Sequence, residues 1–461
     1  VLKTNQFLKP RATLYPKYFA DLETFSTQEI ASKLLQITDS QSLIRSDQWK
    51  SGVSNKIPSY PEAILSSNIR SLIKDVESNP SAVNVQSLLE TSENEFQYIV
   101  KYADEVKSQI HGPDISFVVN RNINYTNICS FKCNFCAFSK GKGHDDLRGK
   151  PYNISEEEII RRTKEAIDRG ATEVCLQGGI HPKFSGETYL DIVRAIRSVS
   201  DSIHIHAFSP LEIDHGRKTL NISVKDFLIE LKNVGLNSLP GTAAEILHDD
   251  IRAIICPDKL NSNEWVEIIK AAHSVGLPTT STMMFGHVEN MSHVAHHLIR
   301  LLEIQNSTNG LTEFVPLPFV AEEAPIFRRG KSRPGPTFKE TILVHSVARI
   351  LYNGSINNIQ GSWVKMGLPG LKYLLSSGIN DIGGVLMNES ITRSAGASFG
   401  QELNLDDVLS IIDELGLNLK QRNTLYHSLT NDIQDLINLQ SIPLIPIINE
   451  YHQPKKINTT V

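Results

Sequence analysis

The sequence predicts an α/β fold in which parallel strands alternate with helices and close into a (β/α)8 barrel of the TIM type. From Ile115 onward, short apolar runs alternate with longer amphipathic segments. Helix-capping signals separate many of these runs. Unusual polar motifs directly follow several apolar runs, as expected where the carboxyl ends of barrel strands form an active face.

Eight apolar runs are expected to be the strands: residues 116–120, 173–176, 203–207, 236–238, 279–284, 313–316, 357–360 and 382–386. Seven helices fit between them. Residues 155–158 form a capping-box start, and Gly170 and Gly235 suit helix ends. The last two runs are weakly marked, so an open six-stranded barrel is the alternative.

The barrel is expected to span residues 113–400. Residues 1–61 are polar and broken by prolines, and we predict an extension without recognisable chemistry. Residues 62–112 have the apolar spacing of helices that pack on the barrel. Residues 401–461 are predicted to form a C-terminal helical cap and tail.

The composition is that of an ordinary globular protein, with 40% hydrophobic and 21% charged residues in 461. A net charge of -5 gives no basic footprint for nucleic acid. The sequence has no apolar run long enough for a membrane span and no signal-peptide pattern at its start. Five cysteines in a chain of this length are typical of a reducing compartment. We therefore expect a cytoplasmic protein that binds neither nucleic acid nor membrane.

Cys129, Cys133 and Cys136 form a C-x3-C-x2-C loop directly after the first predicted strand. Three soft thiolates at this spacing suit three corners of a cubane 4Fe–4S cluster, which leaves the fourth iron open to a small molecule. A structural zinc site would need a fourth ligand such as His144 or Cys175. The low cysteine content disfavours a disulfide plus a spare thiol.

This loop resembles the signature of the radical S-adenosylmethionine (SAM) enzymes, in which SAM binds the open iron through its amino and carboxylate groups. Gly178 and Gly179 follow the second strand, where the absence of a Cβ lets a ligand approach the backbone. The resemblance assigns these glycines to the SAM amino group. A tight strand–helix turn is the alternative.

His204 and His206 alternate with apolar residues in the third strand, so both are expected on one side of the sheet. Two histidines facing a helix layer would be costly without partners, which favours the barrel cavity. His206, Ser209 and Glu212 are therefore candidate cavity residues. For His204 the alternative is a core histidine with its own hydrogen bonds.

Glu245 and Arg252 lie seven positions apart in a segment expected to open the fourth helix. Two helical turns would place both on one face. A carboxylate and a guanidinium there can hold the ribose or ammonium of SAM and its carboxylate. A solvated helix face is the alternative.

Polar groups also follow the later strands. His287 and Glu289 follow the fifth strand, Glu313 belongs to the sixth, and Asn388 and Glu389 follow the eighth. The first three stand beside aromatic residues, and such mixed walls suit a planar heteroaromatic or phenolic ligand. The last two can recognise hydroxyls or ring N–H groups. Core filling and loop capping are the alternatives.

Together the motifs resemble one family of radical SAM enzymes. Residues 119–129 are similar to the start of deazaflavin (FO) synthase and of the futalosine-pathway menaquinone enzymes. Residues 241–245, 255–259 and 383–389 favour the 4-hydroxybenzyl-transferring subunit of FO synthase. The resemblance covers roughly residues 66–425.

The resemblance implies a reaction. The reduced cluster cleaves SAM to methionine and a 5′-deoxyadenosyl radical, which takes a hydrogen from L-tyrosine. The Cα–Cβ bond breaks, and the 4-hydroxybenzyl fragment adds to 5-amino-6-(D-ribitylamino)uracil. The barrel positions the reactants and excludes water. A separate cyclising subunit would complete FO, because the sequence has no second cysteine motif, and a ferredoxin or flavodoxin would supply electrons.

By motif position, the resemblance assigns the cluster to Cys129, Cys133 and Cys136. It assigns SAM to Phe135, Gly178, Gly179, Ser209, Glu245 and Arg252. The expected substrate contacts are His206, Glu212, His287, Glu313, Asn388 and Glu389. Two rivals stay open: aminofutalosine synthase or dehypoxanthine futalosine cyclase of menaquinone synthesis, and a non-catalytic metal-binding scaffold.

Overall fold

The structure is a computed structural model that describes residues 27–54, 56–62, 66–140, 150–447 and 449–453. Parts of the predicted N-terminal extension and C-terminal tail, and the alternative zinc ligand His144, lie outside the described residues. The predicted domain boundaries stay predictions.

Among the described residues, four helices precede the first strand: α1 Gln28–Ile37, α2 Ser67–Ser78, α3 Ala82–Leu89 and α4 Glu93–His111. Thr27, Ser66 and Ser81 cap the first three, and each side chain accepts a backbone N–H one turn ahead. Helices α2 to α4 bury a continuous apolar stripe that packs into the main core.

The strands are β1 Asp114–Val118, β2 Asn120–Asn124, β3 Glu173–Gln177, β4 His204–Ala207, β5 Thr279–Phe285, β6 Leu311–Pro318, β7 Asp381–Gly384 and β8 Asn418–Gln421. They pair in the orders β7-β1-β8, β2-β3-β4 and β5-β6, and every pairing is parallel. The predicted parallel pairing is therefore confirmed, but the predicted first strand, 116–120, falls on two consecutive strands, β1 and β2, with no helix between them.

Two predicted strands, 236–238 and 357–360, appear only as isolated parallel bridges. Ser238 bridges to His206 of β4, and Leu239 bridges to Thr279 of β5. Farther along, Ile359 bridges to β6 and Gln360 bridges to β7. These short segments link the three sheets by single bridges.

Helices follow the strands: α5 Glu156–Asp168, α6 Gly186–Arg197, α7 Pro210–Leu220, α8 Val224–Asn233, α9 Asp249–Ile255, α10 Ser262–Ser274, α11 Met291–Thr308, α12 Pro325–Arg328, α13 Phe338–Leu351, α14 Trp363–Leu375, α15 Ile391–Ser394, α16 Leu405–Glu414 and α17 Ile433–Gln440. The predicted start of α5 is confirmed, because the Ser155 side chain accepts the backbone N–H of Glu158. Gly170 and Gly235 follow α5 and α8 with φ of 79° and 115°. No helix of the described residues is long and apolar enough to cross a membrane.

The predicted C-terminal cap is helical only in part. Strand β8 lies between α16 and α17 and pairs with β1, with Asp114 opposite Asn418. Its four residues are mostly polar, so they carried no strand signal in the sequence. The strand forms because its backbone pairs with an available edge of β1.

Residues 38–54 contact the loop after β6 and the first turns of α13 and α14. The Ser40 N–H donates to Glu340 at 2.7 Å, and the Gly52 N–H donates to the Lys365 carbonyl at 2.7 Å. Arg45 donates to the Gly335 carbonyl at 2.8 Å. Part of the predicted extension is thereby fixed to the face where the strands end.

Candidate active site

The three motif cysteines lie in the loop that follows β2, and all three are free, half-buried thiols. The Cys129 sulfur accepts the backbone N–H of Ile180 at 3.3 Å. The Cys136 sulfur accepts the backbone N–H of Ser139 at 3.4 Å. Such hydrogen bonds stabilise thiolates and tune iron–sulfur centres.

Burial raises the pKa of the Cys133 and Cys136 thiols, because a thiolate loses its hydration there. The ammonium of Lys259 opposes this shift at both thiols. Lys259 also donates to Glu245 at 2.9 Å, and its Nζ lies 5.2 Å from the centroid of the Phe135 ring. The loop thus has a half-buried cation beside its sulfurs.

No group of three His, Cys, Asp or Glu side chains converges on a single metal position within the described residues. A cubane cluster takes one thiolate at each of three irons, so it does not require such convergence. Three soft donors in one short loop, with backbone N–H groups and an ammonium beside them, fit that cluster.

Gly178 and Gly179 lie between the end of β3 and the cysteine loop. A Cβ added at Gly179 would lie 2.3 Å from the Ile128 carbonyl oxygen, and one at Gly178 would lie 2.3 Å from the Tyr125 ring. The Gly179 N–H donates to the Thr126 carbonyl at 2.9 Å. Both glycines are therefore needed for close packing within the protein. Their contact with SAM stays a prediction.

Ser209 and Glu212 form a capping box at the start of α7. The Ser209 N–H and Oγ donate to Glu212 Oε2 at 2.7 and 2.6 Å, and the Tyr125 hydroxyl donates to the other oxygen of Glu212. Burial raises the pKa of Glu212, while the hydrogen bonds from Ser209 and Tyr125 oppose that shift. This cluster links α7 to the chain just before the cysteines.

His204 and His206 share one partner. Ser238 Oγ lies 2.6 Å from His204 Nε2 and 2.7 Å from His206 Nδ1. Burial lowers the pKa of His204 to about 4 and also lowers that of His206, so both rings are neutral near pH 7. The alternative of a core histidine with its own hydrogen bonds therefore fits His204. A substrate contact of His206 stays a prediction.

Glu245 and Arg252 do not share a helix face, so the helical spacing argument was wrong. Helix α9 begins at Asp249, and Glu245 precedes it with a left-handed φ of 48°. The buried Arg252 donates to the carbonyls of Ala243, Ala244 and Leu260. Arg252 thus fixes the loop that carries Glu245, and its contacts are with backbone carbonyls.

His287 lies at the end of β5 and is completely buried. Its Nε2 donates to the Met284 carbonyl at 3.1 Å, and its Nδ1 accepts the Val288 N–H at 2.8 Å. Nearby, Arg333 donates to Glu289 Oε1 at 2.8 Å. The polar atoms of His287 are therefore occupied by neighbours in the protein.

Glu313 is the third residue of β6, so it lies near the amino-terminal ends of the strands, whereas the cysteine loop follows a carboxyl-terminal end. The Tyr426 hydroxyl donates to its Oε2, as does Gln360 Nε2 at 3.2 Å. Arg422 lies 3.6 Å from the same carboxylate and donates to Asp381 at 2.9 Å. Burial raises the pKa of Glu313 to about 7. Residues after β8 therefore cover the Glu313 side chain.

Asn388 and Glu389 lie in the loop after β7. Asn388 has a left-handed φ of 74°, and its Oδ1 accepts from Arg121 at 2.7 Å. Glu389 accepts the backbone N–H of Thr392 at 2.6 Å and so caps α15, as its capping alternative predicted. Asp381 begins β7 and accepts a hydrogen bond from Arg422.

Several residues of these networks were missed in the sequence. From the sequence, Tyr125 is indistinguishable from an aromatic residue of the core. Lys259 belongs to the 255–259 run, but the sequence predicts no role for it. Arg422 and Tyr426 lie beyond the expected barrel. Of these four residues, only Lys259 could have been found from the sequence, because the 255–259 run that contains it supported the family resemblance.

Comparison with known proteins identifies the family of this chain. Residues 123–301 match the Radical SAM superfamily, and residues 308–434 match the CofH/MqnC C-terminal region. A crystal structure of methylornithine synthase covers 80% of this chain and 99% of its own, with a TM-score of 0.58 at 17% identity. The fold and the cysteine loop together define a radical SAM protein.

The 5-amino-6-(D-ribitylamino)uracil–L-tyrosine 4-hydroxyphenyl transferase of Methanopyrus kandleri is 46% identical over 71% of this chain and 88% of that protein. FO synthase of Mycobacterium leprae is 45% identical over 71% of this chain, which spans 38% of that longer protein. The chain belongs to the family of these 4-hydroxyphenyl transferases.

Proposed function

We propose that this chain cleaves the Cα–Cβ bond of L-tyrosine and adds the 4-hydroxybenzyl group to 5-amino-6-(D-ribitylamino)uracil. The observation that carries the proposal is the cysteine loop after β2, in a chain of this transferase family. The chain spans 38% of the length of the FO synthase of Mycobacterium leprae.

Cys129, Cys133 and Cys136 would supply the three thiolates of a 4Fe–4S cluster. When bound, the cluster and SAM would supply the one-electron chemistry that starts radical cleavage of the amino acid. The chain itself holds the thiolates, keeps Lys259 beside them and excludes water. A ferredoxin or flavodoxin would serve as reductant, and the five free thiols suit a cytoplasmic location.

Around the loop, the residues have separable roles. Gly178 and Gly179 let β3 approach the cysteine loop, and we assign them to the SAM side of the site. Glu245 is the candidate partner for SAM hydroxyl or ammonium groups, since it is a carboxylate beside Phe135 and Lys259. Arg252 positions the Glu245 loop through its carbonyl contacts.

The proposal includes a closed (β/α)8 barrel. Parallel bridges at Ser238, Leu239, Ile359 and Gln360 support it, because they link the sheets in chain order. Backbone hydrogen bonds also join the seam: the Asn122 N–H donates to the Leu386 carbonyl at 3.1 Å. In such a barrel the active site lies at the carboxyl ends of the strands.

An anaerobic assay tests the function. The cluster is reconstituted with iron and sulfide, and dithionite, SAM, L-tyrosine and 5-amino-6-(D-ribitylamino)uracil are added. Mass spectrometry should detect both 5′-deoxyadenosine and a hydroxybenzyl adduct of the uracil. Omission of tyrosine should abolish the adduct.

The outcomes separate the rival functions. Deoxyadenosine without adduct would overturn the proposed substrates and favour the menaquinone branch that shares the cofactor. Absence of both products, from protein with full iron content, would favour a non-catalytic scaffold. Cys133→Ala serves as the inactive control.

A further inference from the structure

The turn that ends in Lys259 is hydrogen-bonded to the cysteine loop. The backbone N–H of Asn134, inside that loop, donates to the Ile255 carbonyl at 2.8 Å. The backbone N–H of Lys132, also in the loop, donates to the Asp258 carboxylate at 2.8 Å. The turn after α9 is therefore fixed to the cysteine loop at two points, directly before Lys259.

The Lys259 side chain lies over the same loop. Its Nζ is 5.2 Å from the centroid of the Phe135 ring, and Phe135 directly precedes Cys136. The ammonium donates to Glu245 at 2.9 Å, and the side chains of Lys259 and Glu245 are only 11% and 12% exposed. Water and salt therefore screen these two charges much less than they screen charges at an exposed surface.

The two charges of this pair act on the sulfurs in opposite directions. Burial raises the pKa of the Cys133 thiol, Lys259 opposes that rise, and Glu245 adds to it by less than Lys259 removes. Lys259 also opposes the rise in the pKa of the Cys136 thiol, which burial again causes. At Cys133 the ammonium therefore outweighs the carboxylate.

A cation that favours thiolates also favours additional negative charge on a group that the thiolates hold. Reduction adds one electron to a 4Fe–4S cluster from an external reductant and breaks no bond, so the net charge falls by one. The potential of an iron–sulfur centre depends on its net charge, its solvent exposure and the hydrogen bonds to its sulfurs. A half-buried ammonium at this loop would thus stabilise the reduced form more than the oxidised form.

We propose that Lys259 raises the reduction potential of the cluster that the cysteine loop holds, and that Glu245 moderates this effect. The inference rests on the cluster of the proposed function and does not depend on its substrates. Lys259 acts through the cluster, so its role is to set how readily the electron enters.

A redox titration of the reconstituted full-length protein, followed by electron paramagnetic resonance without SAM or substrates, tests the proposal. Lys259→Met removes the charge, keeps an unbranched side chain and should lower the midpoint potential. At a fixed potential the ratio of reduced to oxidised cluster should fall roughly tenfold, which is about 59 mV for one electron. Glu245→Gln removes the opposing charge and should raise the midpoint potential.

Lys132→Met is the matched control. Lys132 lies in the cysteine loop and directly precedes Cys133, but it is exposed. Because water and salt screen an exposed charge, the midpoint potential of this variant should stay near the wild-type value.

Opposite shifts in Lys259→Met and Glu245→Gln are the supporting result, since a disturbed loop structure would not reverse its effect with the sign of the charge removed. An unchanged potential in Lys259→Met would overturn the proposal, as would an equally large shift in Lys132→Met. If Lys259→Met holds no cluster, Glu245→Gln still decides, because an unchanged or lowered potential there would also overturn the proposal.

Iron and acid-labile sulfide contents separate this inference from the proposed function. Contradicting potentials from protein with full iron and sulfide would overturn only the role of Lys259. A wild-type protein that reconstitutes no cluster would count against the proposed function itself.

Discussion

Gly179→Ala tests how the strand end positions the cysteine loop. The new Cβ would lie 2.3 Å from the Ile128 carbonyl oxygen and 3.0 Å from Cys129 Cβ, where ordinary contacts begin near 3.4 Å. Either β3 or the loop must therefore move by about 1 Å, because a backbone carbonyl cannot rotate away like a flexible side chain. Functional sites tolerate displacements of only about 0.5 Å.

Overpacking of this kind costs about 1–3 kcal/mol in the free energy of unfolding. We expect Gly179→Ala to lose that stability and also to retain much less iron and sulfide than the wild type after anaerobic reconstitution. Iron and acid-labile sulfide per chain, together with a denaturant midpoint, measure the two effects separately.

Gly416→Ala is the matched control. Gly416 has a left-handed φ of 66°, and no heavy atom lies within 4 Å of its added Cβ. Alanine there should cost about 1–2 kcal/mol through backbone strain alone. The iron content should stay at the wild-type level. Equal iron content in Gly179→Ala and Gly416→Ala, at similar stability, would refute the positioning role of Gly179.

Three further predictions concern other parts of the site. Cys133→Ala should lose both the cluster, measured as iron content, and SAM cleavage, measured as deoxyadenosine. Deoxyadenosine formation by this variant would overturn the assignment of Cys133 as a cluster ligand. Arg252→Ala should lower the free energy of unfolding by roughly 1–3 kcal/mol for each carbonyl left unpaired. Because the loop that carries Glu245 is then no longer held, SAM binding measured by equilibrium dialysis should also weaken. A wild-type affinity for SAM would contradict this role of Arg252. Folded Glu313 has a pKa of about 7 against an ordinary 4.5, so its protonated form stabilises the fold at low pH. Urea unfolding should show that this stabilisation is lost as pH rises from 4.5 through 7. Glu313→Gln should flatten the plot of unfolding free energy against pH. The same slope in wild type and Glu313→Gln would exclude Glu313 as the cause of the pH dependence.

Much of the site could be predicted from local pattern. The cysteine spacing, the paired glycines after β3 and the helix cap at Ser155 are contiguous motifs, so each can be recognised from a few neighbouring residues. The short polar strand β8 could not be predicted in this way, because only its pairing with β1 makes it a strand.

Helical spacing failed at Glu245 for a related reason. The prediction that Glu245 and Arg252 share one face assumed an unbroken helix between them. In the structure Glu245 has a left-handed backbone conformation and lies in a loop, and Arg252 of α9 donates hydrogen bonds to the carbonyls of that loop. That loop conformation depends on contacts with Leu260 and on the β5 backbone, where the Met284 N–H donates to the Glu245 carbonyl at 2.9 Å.

The sequence by itself indicated the class of chemistry, because three thiols at this spacing are typical of a loop that binds an iron–sulfur cluster. It also determined the alternation of strands and helices, which follows from local apolar periodicity. Only the tertiary structure decided that Glu313 is covered by Tyr426 and that Asp381 pairs with Arg422. Both depend on which distant segments meet, and hydrogen-bond partners across such distances leave no trace in local sequence.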